Sequence, residues 1–265
     1  MVDRTAAQRK LLRLLFNNKW FLRFLGLVVV VGAWEIYFRF GDVNPVLSAP
    51  PSKIALSVRG VLNDKLYLPA VWGTIRLFLI GFAVSVILGV VVGFLIGRSR
   101  LLDQLVTPYL NALYSAPLVA LIPIMTAVLG YAFRVKLLIV VIVGIFPILI
   151  NAEQGARGVD PTIVEVARSL RVKRFQMWRD VILPSSLPFL AVGLRLGAAR
   201  GLIGTAIAEL YTSPDGLGYL VRNYSMRYRM GPLFVVVLTY TCIALVFSLS
   251  FRRLERRMAR WKVPV

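Results

Sequence analysis

Long uninterrupted runs of apolar residues constrain this chain more than any other feature of its sequence. Several runs approach 20 residues without a charged side chain, about the length that an α-helix needs to cross the hydrocarbon core of a bilayer. Only 17% of the residues are charged and mean hydropathy is +0.75, whereas soluble domains are about one quarter charged. The sequence therefore predicts an all-α, polytopic membrane protein.

Six stretches have the length and apolar character of membrane spans. They are roughly Phe21–Phe38, Trp72–Gly97, Leu105–Leu129, Leu137–Ala152, Leu187–Tyr211 and Pro232–Phe251. The third stretch contains Pro108, Pro117 and Pro123, and proline removes a backbone donor inside a helix. We therefore expect about six transmembrane helices, with the third kinked or broken.

Glycine recurs at every fourth position in two of these stretches. Four-residue spacing places small residues on one helix face, where two backbones can approach closely. We expect both faces to be packing surfaces within the helix bundle. The positions are Gly89, Gly93 and Gly97 in the second stretch, and Gly193, Gly197 and Gly201 in the fifth.

The distribution of basic residues predicts the orientation of the chain. With an inside N-terminus, 20 of the 32 Lys and Arg residues lie in the inner segments and nine in the outer loops. This asymmetry follows the positive-inside rule and places both termini in the cytoplasm. It also attributes the net charge of +20 to topology and anionic lipid headgroups, not to nucleic acid.

We expect one transmembrane domain over residues 1–265, with cytoplasmic tails at both ends. The tail at residues 1–20 alternates basic residues with Leu and Phe. It is either an amphipathic segment in the membrane interface or a simple basic flank. Residues 252–265 form a second basic tail.

The residue types exclude most site chemistry. The chain has no His and a single Cys (Cys242), which excludes disulfides, Cys/His zinc sites and Ser-His-Asp triads. It also has no phosphate-binding G-x-x-x-x-G-K-[ST] loop, so it does not bind ATP through such a loop of its own. We expect no catalytic residues, no metal and no cofactor bound by this chain. A secondary transporter or channel-like protein remains an alternative, although acidic residues at or in the spans are limited to Glu35 and Glu209 and no repeat is visible.

Residues 153–185 are the only long polar segment between spans. Asp160-Pro161 is typical of a helix start, with Asp as N-cap and Pro at the first helical position. A basic cluster at residues 171–174 follows the first amphipathic stretch, and a second apolar stretch begins at Phe175 and stops at Pro184. Two short helices at a bend, with an apolar face and charged edges, suit docking into a groove of a soluble partner. In the first stretch the apolar residues at helical spacing are Ile163, Val164, Ala167 and Leu170.

This segment resembles the cytoplasmic loop of permease subunits from bacterial ATP-binding cassette importers. That loop reads E-A-A, three residues, G, nine residues, then I-x-L-P. Here Glu165-Val166-Ala167, Arg171 at the glycine position and Val181-Ile182-Leu183-Pro184 match the spacing. The likeness covers roughly residues 45–250. Further matches to the branch that imports nitrate, taurine, alkanesulfonates and related molecules are Pro117, Leu121-Ile122-Pro123, Gly158-Val159-Asp160-Pro161, Ala208-Glu209 and Gly216-Leu217-Gly218-Tyr219.

The resemblance implies a non-enzymatic transport subunit of the bacterial inner membrane. A second copy of the chain would complete one central path, two separate ATPase subunits would carry ATP and Mg, and an extracytoplasmic binding protein would deliver a small anionic solute. Nitrate, bicarbonate, taurine, alkanesulfonates and heteroaromatic vitamin precursors all remain open as substrates.

The resemblance also assigns residues that contact the ATPase. Arg171 departs from the family's glycine, and a left-handed backbone costs a residue with a Cβ atom about 1–2 kcal/mol. Either the bend is built differently here or the docked partner offsets this strain. Glu165 has an alternative role, pairing with Arg168 or Ser169 on a solvated face. The coupling residues implied are Asp160, Glu165, Ala167, Leu170, Arg171, Leu183 and Pro184.

Ionisable residues within the spans are candidates for the solute path, because charge at that depth is costly. These residues are Arg76, Arg195, Arg200 and Glu209. Structural pairing, or snorkelling of Arg76 to the interface, is the alternative. Fourteen residues separate Arg195 from Glu209, a helical rise of about 21 Å, so we expect no direct pair between them.

Overall fold

The computed structural model describes residues 19–44, 46–212 and 214–258, and every regular element in these ranges is helical. Besides α-helices, these ranges contain the 3₁₀ turn Leu118–Leu121 and the π-helical turn Met177–Ile182. The α-helices are α1 (Lys19–Phe40), α2 (Pro51–Leu62), α3 (Tyr67–Arg98), α4 (Arg100–Ser115), α5 (Ile122–Leu129), α6 (Phe133–Arg157), α7 (Pro161–Ser169), α8 (Arg174–Gln176), α9 (Leu183–Thr212), α10 (Leu217–Met226) and α11 (Met230–Met258).

The long helices confirm the predicted spans. Within the described residues, five helices are long and apolar enough to cross a membrane: α1, α3, α6, the run Arg174–Thr212 that contains α9, and α11. The third predicted span is indeed broken, because α4 and the Leu118–Leu129 segment meet at an angle of 83° around Pro117. Counted as one span, this bent pair brings the number to six.

Several predicted boundaries need correction. The fourth span runs from Phe133 to Arg157, well beyond residues 137–152. The charged residues that flank those bounds do not end the helix, because Lys136 pairs with Asp215 and Glu153 pairs with Arg157. The predicted outer loop between the first and second spans contains α2, which begins at Pro51. At the C-terminus α11 continues to Met258, so half of the predicted tail is helix. The predicted N-terminal tail lies almost entirely outside the described residues.

Contacts divide the chain into two compact units, and the first comprises residues up to 63 together with residues 224–235. In this unit Glu35 of α1 fixes the start of α2, since its carboxylate accepts bonds from the Ser52 N–H (3.0 Å) and hydroxyl (2.7 Å). The rings of Trp34 and Phe234 pack edge to face with centroids 5.6 Å apart. Polar and aromatic contacts thus both join elements of the first unit.

The second unit comprises residues 64–223 and those from 236 onward, and α6 is its central helix, packed between α3 and α9. The glycine faces make this packing possible. A Cβ atom at Gly93 would lie 2.5 Å from the Leu149 carbonyl oxygen, and one at Gly197 would lie 2.5 Å from Ile148 Cγ1. The predicted role of both glycine series in helix packing is confirmed.

Candidate functional site

Residues 160–184, here called the docking segment, begin with the predicted helix start. The Asp160 carboxylate accepts a hydrogen bond from the Thr162 N–H at 2.8 Å, and Pro161 occupies the first turn of α7. An N-cap satisfies a backbone donor that has no partner within the helix. The prediction from the Asp-Pro pair is therefore confirmed in its local detail.

The C-terminal end of α7 answers the question raised by Arg171. The φ of Arg171 is +51°, so the arginine takes a left-handed backbone, the conformation that favours glycine. The Arg171 N–H donates to Arg168 O (2.9 Å) and the Val172 N–H donates to Ala167 O (3.1 Å). These two bonds form a Schellman motif. The alternative that the bend is built differently here is therefore wrong, and Arg171 adopts the strained left-handed backbone.

One face of the docking segment is buried against the rest of the second unit. Ala167 is buried. Ile182 belongs to a buried cluster with Phe94 of α3, and Val164 and Trp178 pack against that cluster. The rings of Phe94 and Trp178 meet edge to face at 5.8 Å. Ala167 thus supports the segment and does not present a contact surface. Trp178 was not among the predicted site residues. The signal that could have identified it is a large aromatic side chain inside an amphipathic stretch.

The opposite face of the docking segment is apolar and exposed. Within the described residues Glu165 has no ion-pair partner, so the alternative pairing with Arg168 is not formed. An exposed apolar cluster with charged edges is typical of a protein interaction surface. Its large apolar side chains are Ile163 (49% exposed), Val166 (55%), Leu170 (74%) and Phe175 (75%).

The predicted stop at Pro184 is wrong. The helix continues through this residue, and the run from Arg174 to Thr212 is uninterrupted. Pro184 is the second residue of α9, directly after the π-helical turn Met177–Ile182. A π turn already departs from the i to i−4 bonding pattern, at the point where proline has no N–H to give. The docking segment is therefore continuous with the fifth span.

The predicted path residue Arg195 lies on a groove between α9 and α11. Its Nη1 is 3.3 Å from Glu255 Oε2, so the Arg195 guanidinium has a carboxylate partner. The groove has a volume of about 710 Å³ and is predominantly apolar. Glu255 belongs to the predicted tail, and nothing in the local sequence indicated this pairing. The α9 side chains along the groove are Arg195, Leu196, Ala198, Ala199, Leu202, Ile203, Ala206 and Leu210.

The other two arginines in the spans are exposed, and within the described residues neither has an ion-pair partner. Arg76 lines a small cavity of about 90 Å³. Lys136, which lies in the same wall, bonds to Asp215 at 2.5 Å. Arg200 lies on the surface of α9.

Glu209, also predicted for the path, is instead buried and fully bonded. It is 1% exposed, and its carboxylate accepts bonds from the Thr74 hydroxyl (2.8 Å to Oε1), the Gly218 N–H (2.9 Å) and the Tyr240 hydroxyl. No direct pair with Arg195 forms, as predicted from the helical rise. Glu209 thus lies within the helix packing, and its place in the solute path stays a prediction.

A charged cluster that the sequence did not reveal ties α6 to α4. Arg157, at the end of α6, bonds to Glu153 one turn earlier (2.8 Å) and to Asp103 of α4. The spacing of Glu153 and Arg157 was a visible signal for the first bond, but not for the second. Among the described residues no group of three or more Cys, Asp or Glu side chains is placed to hold a metal.

Comparison with known proteins identifies the family. A family model described as "Binding-protein-dependent transport system inner membrane component" matches residues 85–260, more than half of the chain. The chain belongs to this family. It is therefore a multi-pass transport subunit, a permease of the ATP-binding cassette class, and not a secondary transporter or channel.

Two curated relatives illustrate the range of the family. The putative aliphatic sulfonates transport permease protein SsuC of Escherichia coli is 30% identical over 92% of this chain and 94% of its own length. The formylaminopyrimidine transport permease protein ThiX of Halalkalibacterium halodurans is 26% identical, over 91% and 94%. Each match covers nearly the whole of both proteins.

A solved structure supports the fold of this permease. The methionine ABC transporter MetNI, in an inward-facing conformation, has a chain that aligns with a TM-score of 0.64 and 18% identity. The alignment covers 73% of this chain and 96% of that one. At this identity the likeness establishes the fold alone.

Proposed function

We propose that this permease works as a dimer that imports a small organic anion, with organic sulfonates as the first candidate class. Two ATPase subunits bind ATP and Mg on their own chains and dock on the two docking segments. An extracytoplasmic binding protein delivers the solute to the outer face, and both termini of the permease lie in the cytoplasm of a bacterial cell. The permease itself makes and breaks no covalent bonds.

The exposed apolar face of the docking segment carries this proposal. A membrane protein gains nothing from presenting Leu170 and Phe175 to water unless another protein covers them. The charged residues at its edges, Asp160, Glu165 and Arg171, supply directional contacts around this apolar centre. Leu183 and Pro184 complete the surface where it joins the fifth span. The sequence motif and this exposed face indicate the same interface.

The mechanism follows from the continuity of this surface with the spans. ATP binding draws the two ATPase subunits together, and the docking segments move with them. An equilibrium between outward and inward openings shifts only if each ATPase state contacts the segment differently. Because the segment is continuous with α9, its displacement reaches the bundle without a flexible linker.

The solute class rests on the charge and shape of the candidate path. Arg76 and Arg200 provide positive charge in the spans that has no ion-pair partner in the described part of the chain. Arg195 borders a large apolar groove, and a single contact with Glu255 leaves several of its five N–H donors free for an anion. An apolar groove with a cationic residue suits a solute with a short apolar part and an anionic group. The named function of SsuC is consistent with this class.

Reconstitution of the complex tests both parts of the proposal. Glu165→Lys should reduce ATPase binding or uncouple hydrolysis from uptake by at least tenfold, because it reverses the charge at the edge of the docking surface. Asp42→Lys, an equally exposed charge reversal in the predicted outer loop, is the matched control and should leave both unchanged. Uptake of an organic sulfonate but not of formylaminopyrimidine supports the proposed anionic solute class. The reverse preference, or full coupling in Glu165→Lys, contradicts the proposal.

A further inference from the structure

The Glu209 network joins four helices at the end of α9 opposite the docking segment. Its donors come from α3 (Thr74), from the first turn of α10 (Gly218) and from α11 (Tyr240). The Thr74 oxygen in turn accepts the Leu217 N–H at 3.0 Å. Two backbone donors at the start of α10 are thus held through Glu209 and its partner. The first turn of α10 is fastened to the carboxylate.

The turn before α10 is shaped around this carboxylate. Gly216 has φ +90°, and a Cβ atom on it would overlap the Glu209 carboxyl group. Only glycine therefore permits the turn to close over the carboxylate, for steric as well as conformational reasons. The resemblance had included Gly216, Leu217 and Gly218 as a sequence pattern without a structural role. The structure gives them one.

A buried carboxylate is a costly way to hold helices together. Well-packed apolar side chains usually serve stability as well or better, because a buried charge loses its hydration. Hydrogen bonds differ from apolar contacts in that they are directional and fix the register of the elements that they join. The hydrogen bonds to Glu209 are therefore better suited to fixing the position of α10 than to raising the overall stability of the bundle.

The path from the docking segment to this network is one continuous helix. Helical structure runs from Arg174 to Thr212, and α9 spans about 39 Å between Leu183 and Glu209. We propose that Glu209 is a positioning residue that fastens α10 to the far end of α9, so that movement of the docking segment displaces α10. This inference rests on the proposed docking of the ATPase at residues 160–184.

Matched threonine variants test the inference. Thr74→Val keeps the shape of a fully buried side chain but removes a donor to Glu209 and the acceptor for Leu217. Thr212 is the control, because it is 1% exposed and its hydroxyl bonds to the Ala208 carbonyl of its own helix at 2.6 Å. Thr212→Val therefore removes the hydrogen bond of a buried threonine hydroxyl without disconnecting α10 from Glu209.

The readout is a cysteine on α10 in the complete complex with its ATPase subunits. Asn223→Cys in a Cys242→Ala background is treated with a maleimide in the absence of nucleotide and after trapping with ATP and vanadate. We expect its reaction rate to differ severalfold between the two states in the parent and in Thr212→Val. In Thr74→Val that difference should fall by at least threefold and uptake by about tenfold, while ATPase binding and hydrolysis persist.

Three results would overturn the inference. The first is a difference in maleimide reaction rate between the two states that is unchanged in Thr74→Val. The second is an equal loss of that difference in Thr212→Val. The third is the absence of any such difference in the parent. Tyr240→Phe, which removes one hydroxyl donor, provides the same comparison if Thr74→Val does not assemble. Failure of the proposed function is recognised separately, since it appears as absent ATPase binding in the parent complex.

Discussion

Replacing Arg171 by glycine should stabilise the end of α7. The left-handed backbone at φ +51° costs a residue with a Cβ atom about 1–2 kcal/mol, and glycine avoids this cost. Glycine also gives the unfolded segment more freedom, which offsets about 0.5–1 kcal/mol. Pairing the lower ends of the two ranges, and likewise the upper ends, gives a net gain of about 0.5–1 kcal/mol, provided that the exposed guanidinium contributes little. That gain corresponds to an equilibrium constant for local opening that is about 2- to 5-fold smaller.

Amide hydrogen exchange at Val172 measures this opening directly. The Val172 N–H donates to Ala167 across the end of the helix, so it exchanges only when the Schellman motif opens. Its protection factor in Arg171→Gly should rise by the same 2- to 5-fold. Arg171→Ala removes the charge but keeps a Cβ atom, and should show no such gain.

A second control separates backbone strain from general loss of a basic residue. Lys173 lies in the same basic cluster but has an ordinary φ of −61°, so Lys173→Gly should lower protection or leave it unchanged. If Arg171→Gly gave no gain, or if Arg171→Ala gave the same gain, strain at this position would not be the cause.

Two further predictions concern the packing of the second unit. Gly93→Ala should lower the free energy of unfolding of the purified permease by about 1–3 kcal/mol, measured as a lower melting temperature, because its Cβ atom would meet the Leu149 carbonyl. Gly60→Ala, where a Cβ atom meets nothing within 4 Å, should be neutral. Arg195→Gln and Glu255→Gln should each destabilise, and a double-mutant cycle should give a coupling of about 0.5–1 kcal/mol. Additive single effects would show that this pair contributes nothing.

Local sequence signals predicted the parts of the structure that depend on local chemistry. The start of α7 followed from Asp160-Pro161, since capping involves residues only two positions apart. The break in the third span followed from Pro117, and the helix packing followed from the four-residue glycine spacing. The start of α2 carried a similar signal, with Pro51 at its first position, but its low hydropathy hid it among loop residues.

Contacts between distant residues could not be predicted in this way. Thr74 and Glu209 are 135 positions apart, and no periodicity relates one helix to the rotation of another about its axis. For Arg171 the sequence left two geometries open, because the strain of one residue is decided by the packing of both flanking stretches. The buried face of the docking segment, with Trp178 on Phe94, supplies that packing.

The pairing of charges changes which residues can attract an anion. From the sequence, three arginines in the spans carried equal weight. Arg195 now shares its charge with Glu255, and the Lys136 charge in the same unit is paired with Asp215. A paired charge attracts a solute weakly at a distance, because its field is that of a dipole. Of the predicted path arginines, Arg76 near the start of α3 and Arg200 within α9 have no ion-pair partner among the residues that the structure describes. Preference for an anion should depend on these two residues more than on Arg195, whose remaining N–H donors act only on a solute that has already reached the groove.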